Sequence, residues 1–145
     1  MEASPSPLLE SAGRAFADTS YFLALLSAKD PAHAAALRIA QQIAIGQIDV
    51  FTTWDVVSET TTLLRYRWTH RAATKFLTRL IPDLSVLLPD EDDRIAAIRL
   101  FVSKRDWKLS LCDALSYVVI STRLEWAPCL SFDADFRAMG LTVVR

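Results

Sequence analysis

The sequence predicts an α/β fold, a three-layer α/β/α sandwich with a parallel sheet of about five strands. Two observations lead to this prediction: short apolar runs alternate with longer helix-like segments, and 52% of the 145 residues are hydrophobic. Strands that are separated by helices pair in parallel, and right-handed crossovers place those helices on both faces of the sheet. A chain of this length forms one domain with a substantial core.

The chain is expected to consist of a loose tail followed by a single domain. Residues 1–14 are rich in Pro, Ser and Ala, which is typical of a flexible segment. Residues 15–145 form the predicted domain, and its first strand is the apolar run that ends at Asp18. The other strands are expected over residues 49–52, 84–88, 128–132 and 141–144. The run 84–88 is continuously apolar, which favours a strand covered on both faces.

The predicted helices begin at residues that commonly cap or open helices. Ser20 is expected to cap the first, Pro31 opens the second, and Thr52 with Asp55 forms a capping-box pattern at the head of the third. Gly46 ends the second helix. The helices are predicted over residues 21–26, 33–45, 53–67, 71–80, 94–103 and 111–123, with a short helical turn around Phe136.

Composition excludes several classes of protein. Sixteen Lys and Arg against seventeen Asp and Glu leave a net charge of −1, which argues against a surface coated in positive charge for duplex DNA. Three glycines are too few for a Rossmann or Walker-type phosphate loop. The two cysteines and two histidines are scattered and form no zinc-binding motif. No signal-peptide pattern or apolar run of about 20 residues is present, so a cytoplasmic protein with no membrane partner is expected.

Four acidic residues lie where a parallel sheet would bring them together. Asp18 and Asp133 follow the first and fourth predicted strands, Glu59 lies in the helix after the second strand, and Asp113 is in the first turn of an apolar helix. Ligands of such sheets bind beyond the carboxyl ends of the strands. Converging carboxylates about 4 Å apart repel by about 4 kcal/mol per pair at an effective dielectric constant near 20. The alternative interpretation is that each acid is a helix cap or a surface charge.

A cation among these carboxylates would relieve their repulsion. Oxygen ligands without His or Cys favour Mg²⁺ or Mn²⁺. Such a site activates water and stabilises charge on a phosphodiester. The four acids therefore indicate a candidate centre for metal-assisted hydrolysis.

The ordered set of motifs resembles the four acidic motifs of the PIN-domain family, and size and layout are similar to VapC-type toxins of toxin–antitoxin pairs. The resemblance implies a Mg²⁺- or Mn²⁺-dependent endoribonuclease that acts on RNA, forms a homodimer and is inhibited by a small antitoxin. It begins at about Phe16. An extra segment of more than a dozen residues precedes the first motif, where many family members begin almost at once. The motifs are Asp18-Thr19-Ser20, Ser58-Glu59, the run Ser110 to Leu115, and the run Ser131 to Phe136.

The resemblance also implies roles for individual residues. Carried over position by position, the metal-binding and catalytic acids are Asp18, Glu59, Asp113 and Asp133. Ser20 and Ser131 match supporting hydroxyls that hydrogen-bond to the ligands. Asp135 is a further possible ligand, and Asp133 is preferred because it ends the predicted strand.

Two groups of basic residues are candidates for binding RNA. Arg65, Arg67 and Arg71 follow Glu59 with aromatic residues interleaved, which predicts either an RNA-binding stripe or a solvated helix face. The second group, Lys104, Arg105 and Lys108, precedes Asp113 and is either a site for the scissile strand or an ordinary exposed loop.

Other functions remain open at the level of sequence. The acidic run 90–93 resembles a second metal site, although acids at the start of a helix are the preferred interpretation. Cys112 adjoins Asp113 and is interpreted as a buried thiol. A housekeeping RNA-processing or DNA nuclease would share the acid set. A non-catalytic module would use the same acids only to bind a basic peptide.

Overall fold

The computed structural model describes residues 7–145, and its centre is a five-stranded, fully parallel sheet. The strand order is β3-β2-β1-β4-β5. The predicted α/β fold with a five-stranded parallel sheet is confirmed. The strands are β1 Arg14–Ala17, β2 Asp49–Thr53, β3 Ser85–Leu87, β4 Cys129–Leu130 and β5 Val143–Val144.

Helices connect every pair of successive strands. The chain moves outward from β1 to β3 on one side, returns to pair β4 with β1, and continues to β5. Right-handed crossovers therefore place the helices before β3 on one face and those after it on the other. The helices are α1 Pro7–Ala12, α2 Thr19–Leu26, α3 His33–Gly46, α4 Trp54–Arg67, α5 His70–Lys75, α6 Glu91–Ser103, α7 Leu111–Arg123 and α8 Ala134–Ala138.

The core lies on both sides of the central strand β1. Its residues Ala15, Phe16 and Ala17 are fully buried, and Phe22 of α2 packs against Phe76 with ring centroids 5.1 Å apart. A second apolar cluster joins α6, α7 and the end of α8. The central position of β1 places its carboxyl end, where Asp18 follows, between the two halves of the sheet.

The beginning of the chain differs from the predicted tail. Residues 7–12 form the short helix α1, in which Leu9 is completely buried. Gly13 ends this helix in the left-handed conformation (φ 68°), and its N–H donates to the Leu9 carbonyl at 3.0 Å. Burial of Leu9 outweighs the loop-like composition of the segment. The prediction for residues 1–6 lies outside the described part of the chain.

Two predicted helix caps are wrong by one or two residues. Asp18, not Ser20, caps α2, and Thr53, not Thr52, caps α4 by accepting a hydrogen bond from the Val56 N–H at 3.1 Å. Thr52 still belongs to β2, and its hydroxyl donates to the Ala17 carbonyl at 2.9 Å inside the sheet. The strand is one residue longer than predicted, so the cap moves with it.

The segment between α4 and α6 also departs from the sequence prediction. The helix predicted over residues 71–80 is α-helical only through Lys75 and continues as a π-helical turn over Phe76–Leu80. The apolar run 84–88 forms β3 at the edge of the sheet, where Leu88 is 71% exposed. The prediction of a strand covered on both faces, which was based on this continuous apolar run, is therefore wrong.

Within residues 7–145, no helix combines the length and the apolar character that crossing a membrane requires.

Candidate active site

Asp18 lies at the point where the strand order reverses, directly after β1 and beside the end of β4. Its side chain is only 4% exposed. Its Oδ2 accepts hydrogen bonds from the Ser20 hydroxyl at 2.8 Å, the Ser131 hydroxyl at 2.9 Å and the Ser20 N–H at 3.3 Å. These donors hold one carboxylate oxygen in a defined orientation.

Ser20 and Ser131 join the ends of β1 and β4. Their hydroxyl oxygens are 3.1 Å apart. The Phe132 N–H donates to the Ser20 hydroxyl at 2.9 Å, and the Asp133 N–H donates to the Ser131 hydroxyl at 3.1 Å. The two serines that were predicted to support the acids thus bind both Asp18 and the backbone that leads to Asp133.

Glu59 reaches this edge of the sheet from the second turn of α4. Its Oε2 accepts a hydrogen bond from the Thr19 hydroxyl at 3.3 Å, and the Thr60 hydroxyl donates to Thr19, also at 3.3 Å. Sequence reasoning missed both threonines. The sequence signal that could have identified the two threonines is their position, since each directly follows one of the candidate acids, Asp18 or Glu59.

Asp113 is the third residue of α7 and forms a capping box with Ser110. The Ser110 N–H donates to Asp113 Oδ2 at 3.0 Å, and the Asp113 N–H donates to the Ser110 hydroxyl at 3.1 Å. The box fixes the first turn of α7. It therefore holds the Asp113 carboxylate at the start of that helix.

The structure separates Asp133 from Asp135. Asp133 caps α8, and its Oδ1 accepts the Asp135 N–H at 2.9 Å. Asp135 itself faces a cavity of about 200 Å³ whose other lining residues include Trp107 and Lys108. The two neighbouring carboxylates thus have different surroundings, and the charge of Asp133 is one of those that act on Asp113.

The charges of the four acids act on one another. Burial raises the pKa of Asp18 to about 6, the Ser20 and Ser131 hydrogen bonds oppose this, and the charge of Asp113 adds to it. Burial also raises the pKa of Asp113, against its bonds to Ser110, and the charges of Asp133 and Glu59 add to the rise. The other three carboxylates therefore lie within electrostatic reach of Asp113.

Cys112 lies among the same acids and stays a neutral thiol. Burial raises its pKa far above the ordinary value, and contact with the Glu59 carboxylate raises it further. A thiolate is the reactive form of cysteine. The half-buried thiol at this position is accordingly not suited to act as a nucleophile.

None of the four acids has a cationic partner within residues 7–145. The ion pairs of this region join Arg14 to Glu125 and Arg123 to Asp90 and Asp93. Two acids of the run 90–93 pair with Arg123, Asp90 at 2.7 Å and Asp93 at 2.6 Å, and the same two residues form the capping box of α6. The structure favours a structural role for that run.

The donor set at the sheet edge suits a hard divalent cation. It consists of carboxylate oxygens that have no basic partner within residues 7–145, and neighbouring negative charges add to the raised pKa values of Asp18 and Asp113. Mg²⁺ and Mn²⁺ prefer such oxygen ligands. In the described part of the chain, no three side chains of His, Cys, Asp or Glu stand close enough together to hold a metal. Bringing the four carboxylates to ligand spacing increases their electrostatic repulsion, and a bound divalent cation offsets this repulsion.

The two basic groups occupy different places. Arg65 and Arg67 are exposed near the end of α4, about 9 and 12 Å along the helix from Glu59 at 1.5 Å per residue. Arg71 is exposed on α5 and lines a shallow groove of about 260 Å³ together with Lys75 and Arg79. These side chains point to solvent, which is expected both for an RNA-binding stripe and for a solvated helix face.

The second basic group lies in the loop that leads into α7. Lys104, Arg105 and Lys108 are exposed in the loop between α6 and α7, and Lys104 Nζ lies 4.8 Å from the centre of the Trp107 ring. Lys108 lines the same cavity as Asp135. This loop therefore adjoins the acidic edge of the sheet.

Comparison with known proteins identifies the family. The family model of the PIN domain matches residues 15–141. The chain belongs to the PIN domain family. The resemblance and fold class predicted from the sequence are confirmed, and the matched range of this PIN domain begins directly after α1.

Solved structures support the same assignment. The PIN domain is similar to Mycobacterium tuberculosis VapC20, described as a sarcin–ricin loop cleaving toxin, with 32% identity and a TM-score of 0.82 over 90% of this chain and 98% of that one. It also matches FitAcB from Neisseria gonorrhoeae, with 14% identity and a TM-score of 0.64 over 90% and 96% of the two chains. The second likeness shows the fold alone. A search of curated proteins found no match.

Proposed function

We propose that this PIN domain is a divalent-cation-dependent endoribonuclease that hydrolyses RNA phosphodiester bonds, and that it is the toxin of a toxin–antitoxin pair. One observation carries the proposal: Asp113 interacts electrostatically with the other three acids, and none of the four has a basic partner within residues 7–145. The likeness to VapC20, a toxin that cleaves an RNA loop, supports the choice of RNA as substrate.

Asp18, Asp113 and Asp133 would hold Mg²⁺ or Mn²⁺, with Glu59 completing the set. Such a cation supplies a water of lowered pKa and neutralises charge that develops on the phosphodiester. The chain's own contribution is orientation. Ser20 and Ser131 donate hydrogen bonds to Oδ2 of Asp18 and so orient that carboxylate, while the Ser110 capping box orients Asp113.

The antitoxin and a second copy of the chain are the proposed protein partners. Support comes from the toxin-like relative and from exposed apolar side chains on α3, where Leu37 is 49% and Ile45 is 45% exposed. Exposed apolar surface of this kind favours protein contacts.

The proposed activity is tested by incubating the purified protein with RNA and DNA of the same sequence, with Mg²⁺, Mn²⁺ or EDTA. We expect cleavage of RNA with either cation and none with EDTA. Cleavage of DNA alone would indicate a DNA nuclease. Intact RNA under every condition would contradict an enzyme and favour a binding module.

We expect the exposed arginines that follow Glu59 to contribute to RNA binding. Replacing Arg65, Arg67 and Arg71 with Ala should weaken binding to all sequences, because attraction by a chain of net charge −1 depends on local cations. Each lost phosphate contact should lower the slope of log affinity against log salt by about 0.7 for single-stranded RNA. The measurement is RNA affinity in EDTA over a range of salt.

A control with the same change in net charge replaces three exposed arginines of α3 and α6, Arg38, Arg94 and Arg99, and should leave the slope as in the wild type. An unchanged slope in the first variant would instead identify its residues as a solvated helix face. The loop of Lys104, Arg105 and Lys108 would then be the RNA-binding candidate.

A further inference from the structure

A chain of two hydroxyls connects the interior of the protein to the Glu59 carboxylate. The Thr60 hydroxyl donates to Thr19 Oγ1 at 3.3 Å, and the Thr19 hydroxyl donates to Glu59 Oε2 at 3.3 Å. Thr19 is the first residue of α2 and Thr60 belongs to α4. The two hydrogen bonds therefore lead from Thr60 on α4 to Thr19 on α2 and back to Glu59, which precedes Thr60 on α4.

The Thr60 hydroxyl is not required by packing. Thr60 is fully buried beside the apolar residues Val56, Val57 and Leu64 of the same helix. Valine has nearly the same shape, and a buried hydroxyl costs free energy unless it is hydrogen-bonded. Core packing alone would thus favour valine here, so the hydroxyl is explained by the bond it makes.

The neighbouring threonines of α4 behave differently. The hydroxyls of Thr61 and Thr62 donate to carbonyls of their own helix, those of Val57 at 2.7 Å and Ser58 at 3.0 Å. This bond within the helix is the usual one for threonine. Thr60 instead donates across the interface to α2.

The direction of the hydrogen bonds orients Glu59. Each hydroxyl has one proton, and because Thr60 donates to the Thr19 oxygen, the proton of Thr19 is directed at the Glu59 carboxylate. The negative charge of Glu59 strengthens both bonds in this buried setting. The rotation of Glu59 is thereby coupled to the turn that carries Asp18.

We propose that Thr60 and Thr19 are positioning residues that hold the Glu59 carboxylate in the orientation with which it completes the acid cluster. The proposal rests on the proposed function. It assigns a role to two residues that do not themselves reach the other carboxylates.

The test compares Thr60→Val, Thr60→Ser and Thr62→Val with the wild type. We expect Thr60→Val to melt, without metal, at the wild-type temperature or higher. Its Mn²⁺ affinity, read from the concentration that half-saturates the melting shift, should fall by up to about tenfold, the lower end of the loss seen when a direct partner of a metal ligand is removed, because Thr60 acts on Glu59 through Thr19. The kcat for an RNA oligonucleotide should fall by a similar factor while KM changes little.

Thr60→Ser keeps the hydroxyl and should restore Mn²⁺ affinity and kcat to near wild-type values. Thr62→Val removes a hydroxyl from the same helix and should change neither. Wild-type Mn²⁺ affinity in Thr60→Val would overturn the proposal, as would equal losses in Thr60→Val and Thr60→Ser. If the wild type binds Mn²⁺ but cleaves no RNA, the proposed function fails, and Mn²⁺ affinity still decides the role of Thr60.

Discussion

Replacing Asp18 or Asp113 with Asn is expected to reduce RNA cleavage by at least about 100-fold while the fold persists. Asn keeps the size of Asp and accepts the same hydrogen bonds, including the capping bond that Asp18 accepts from the Ser20 N–H. It lacks the negative charge that a divalent cation requires. Removing partners of metal ligands already costs about 10–100-fold, so losing a ligand should cost at least as much. The measurement is the cleavage rate at saturating Mg²⁺.

Whereas RNA cleavage should fall in Asp18→Asn, the stability of the metal-free protein should rise. Burial raises the pKa of Asp18 to about 6 in the folded chain, against an ordinary value of 3.8, so the folded state binds this proton more tightly than the unfolded state. Ionised Asp18 therefore lowers the free energy of unfolding by about 3 kcal/mol above pH 6. This loss of stability disappears as the pH falls toward 4. Asp18→Asn should therefore melt above the wild type at pH 7, and this difference should vanish near pH 4.

Asp92→Asn is the matched control, because Asp92 is an exposed acid at the start of α6 that does not pair with Arg123. It should leave both cleavage and the pH dependence of melting unchanged. Full RNA cleavage by Asp18→Asn or Asp113→Asn would contradict the proposed site.

Added Mn²⁺ is expected to raise the melting temperature of the wild type substantially. The carboxylates are gathered only in the folded chain, so the cation binds the folded state in preference to the unfolded one. At a concentration one hundred times the Kd, the gain is about 2.7 kcal/mol. For a domain of this size, that corresponds to a shift on the order of 5–10 °C.

Asp18→Asn should lose most of this shift, whereas Asp92→Asn should keep it. Equal shifts in the wild type and in Asp18→Asn would show that the cation binds elsewhere. The Asp90–Asp93 run would be the first alternative to examine, although Arg123 already pairs with two of its acids.

The number of strands and the residues that follow their carboxyl ends were predictable because both depend on local patterns. Apolar runs predicted the five strands, and Asp18 could be placed at the edge of the sheet because it directly follows one of them. The adjacency of β1 and β4 was not predicted, because it depends on which strands become neighbours and not on the residues of either strand alone.

Features that depend on tertiary contacts were missed. The helix α1 exists because Leu9 is buried, and nothing in the local composition of residues 7–12 indicates that contact. The edge position of β3 and the roles of Thr19 and Thr60 likewise depend on which elements become neighbours. A threonine that bonds across an interface has the same sequence signature as one that bonds within its own helix.

The most direct test of the proposed metal centre is anomalous diffraction from crystals of the wild type soaked in Mn²⁺. The account predicts a peak at the carboxyl edge of the sheet, bonded at about 2 Å to oxygens of Asp18 and Asp113. A peak confined to the Asp90–Asp93 run, with none between Asp18 and Asp113, would contradict it.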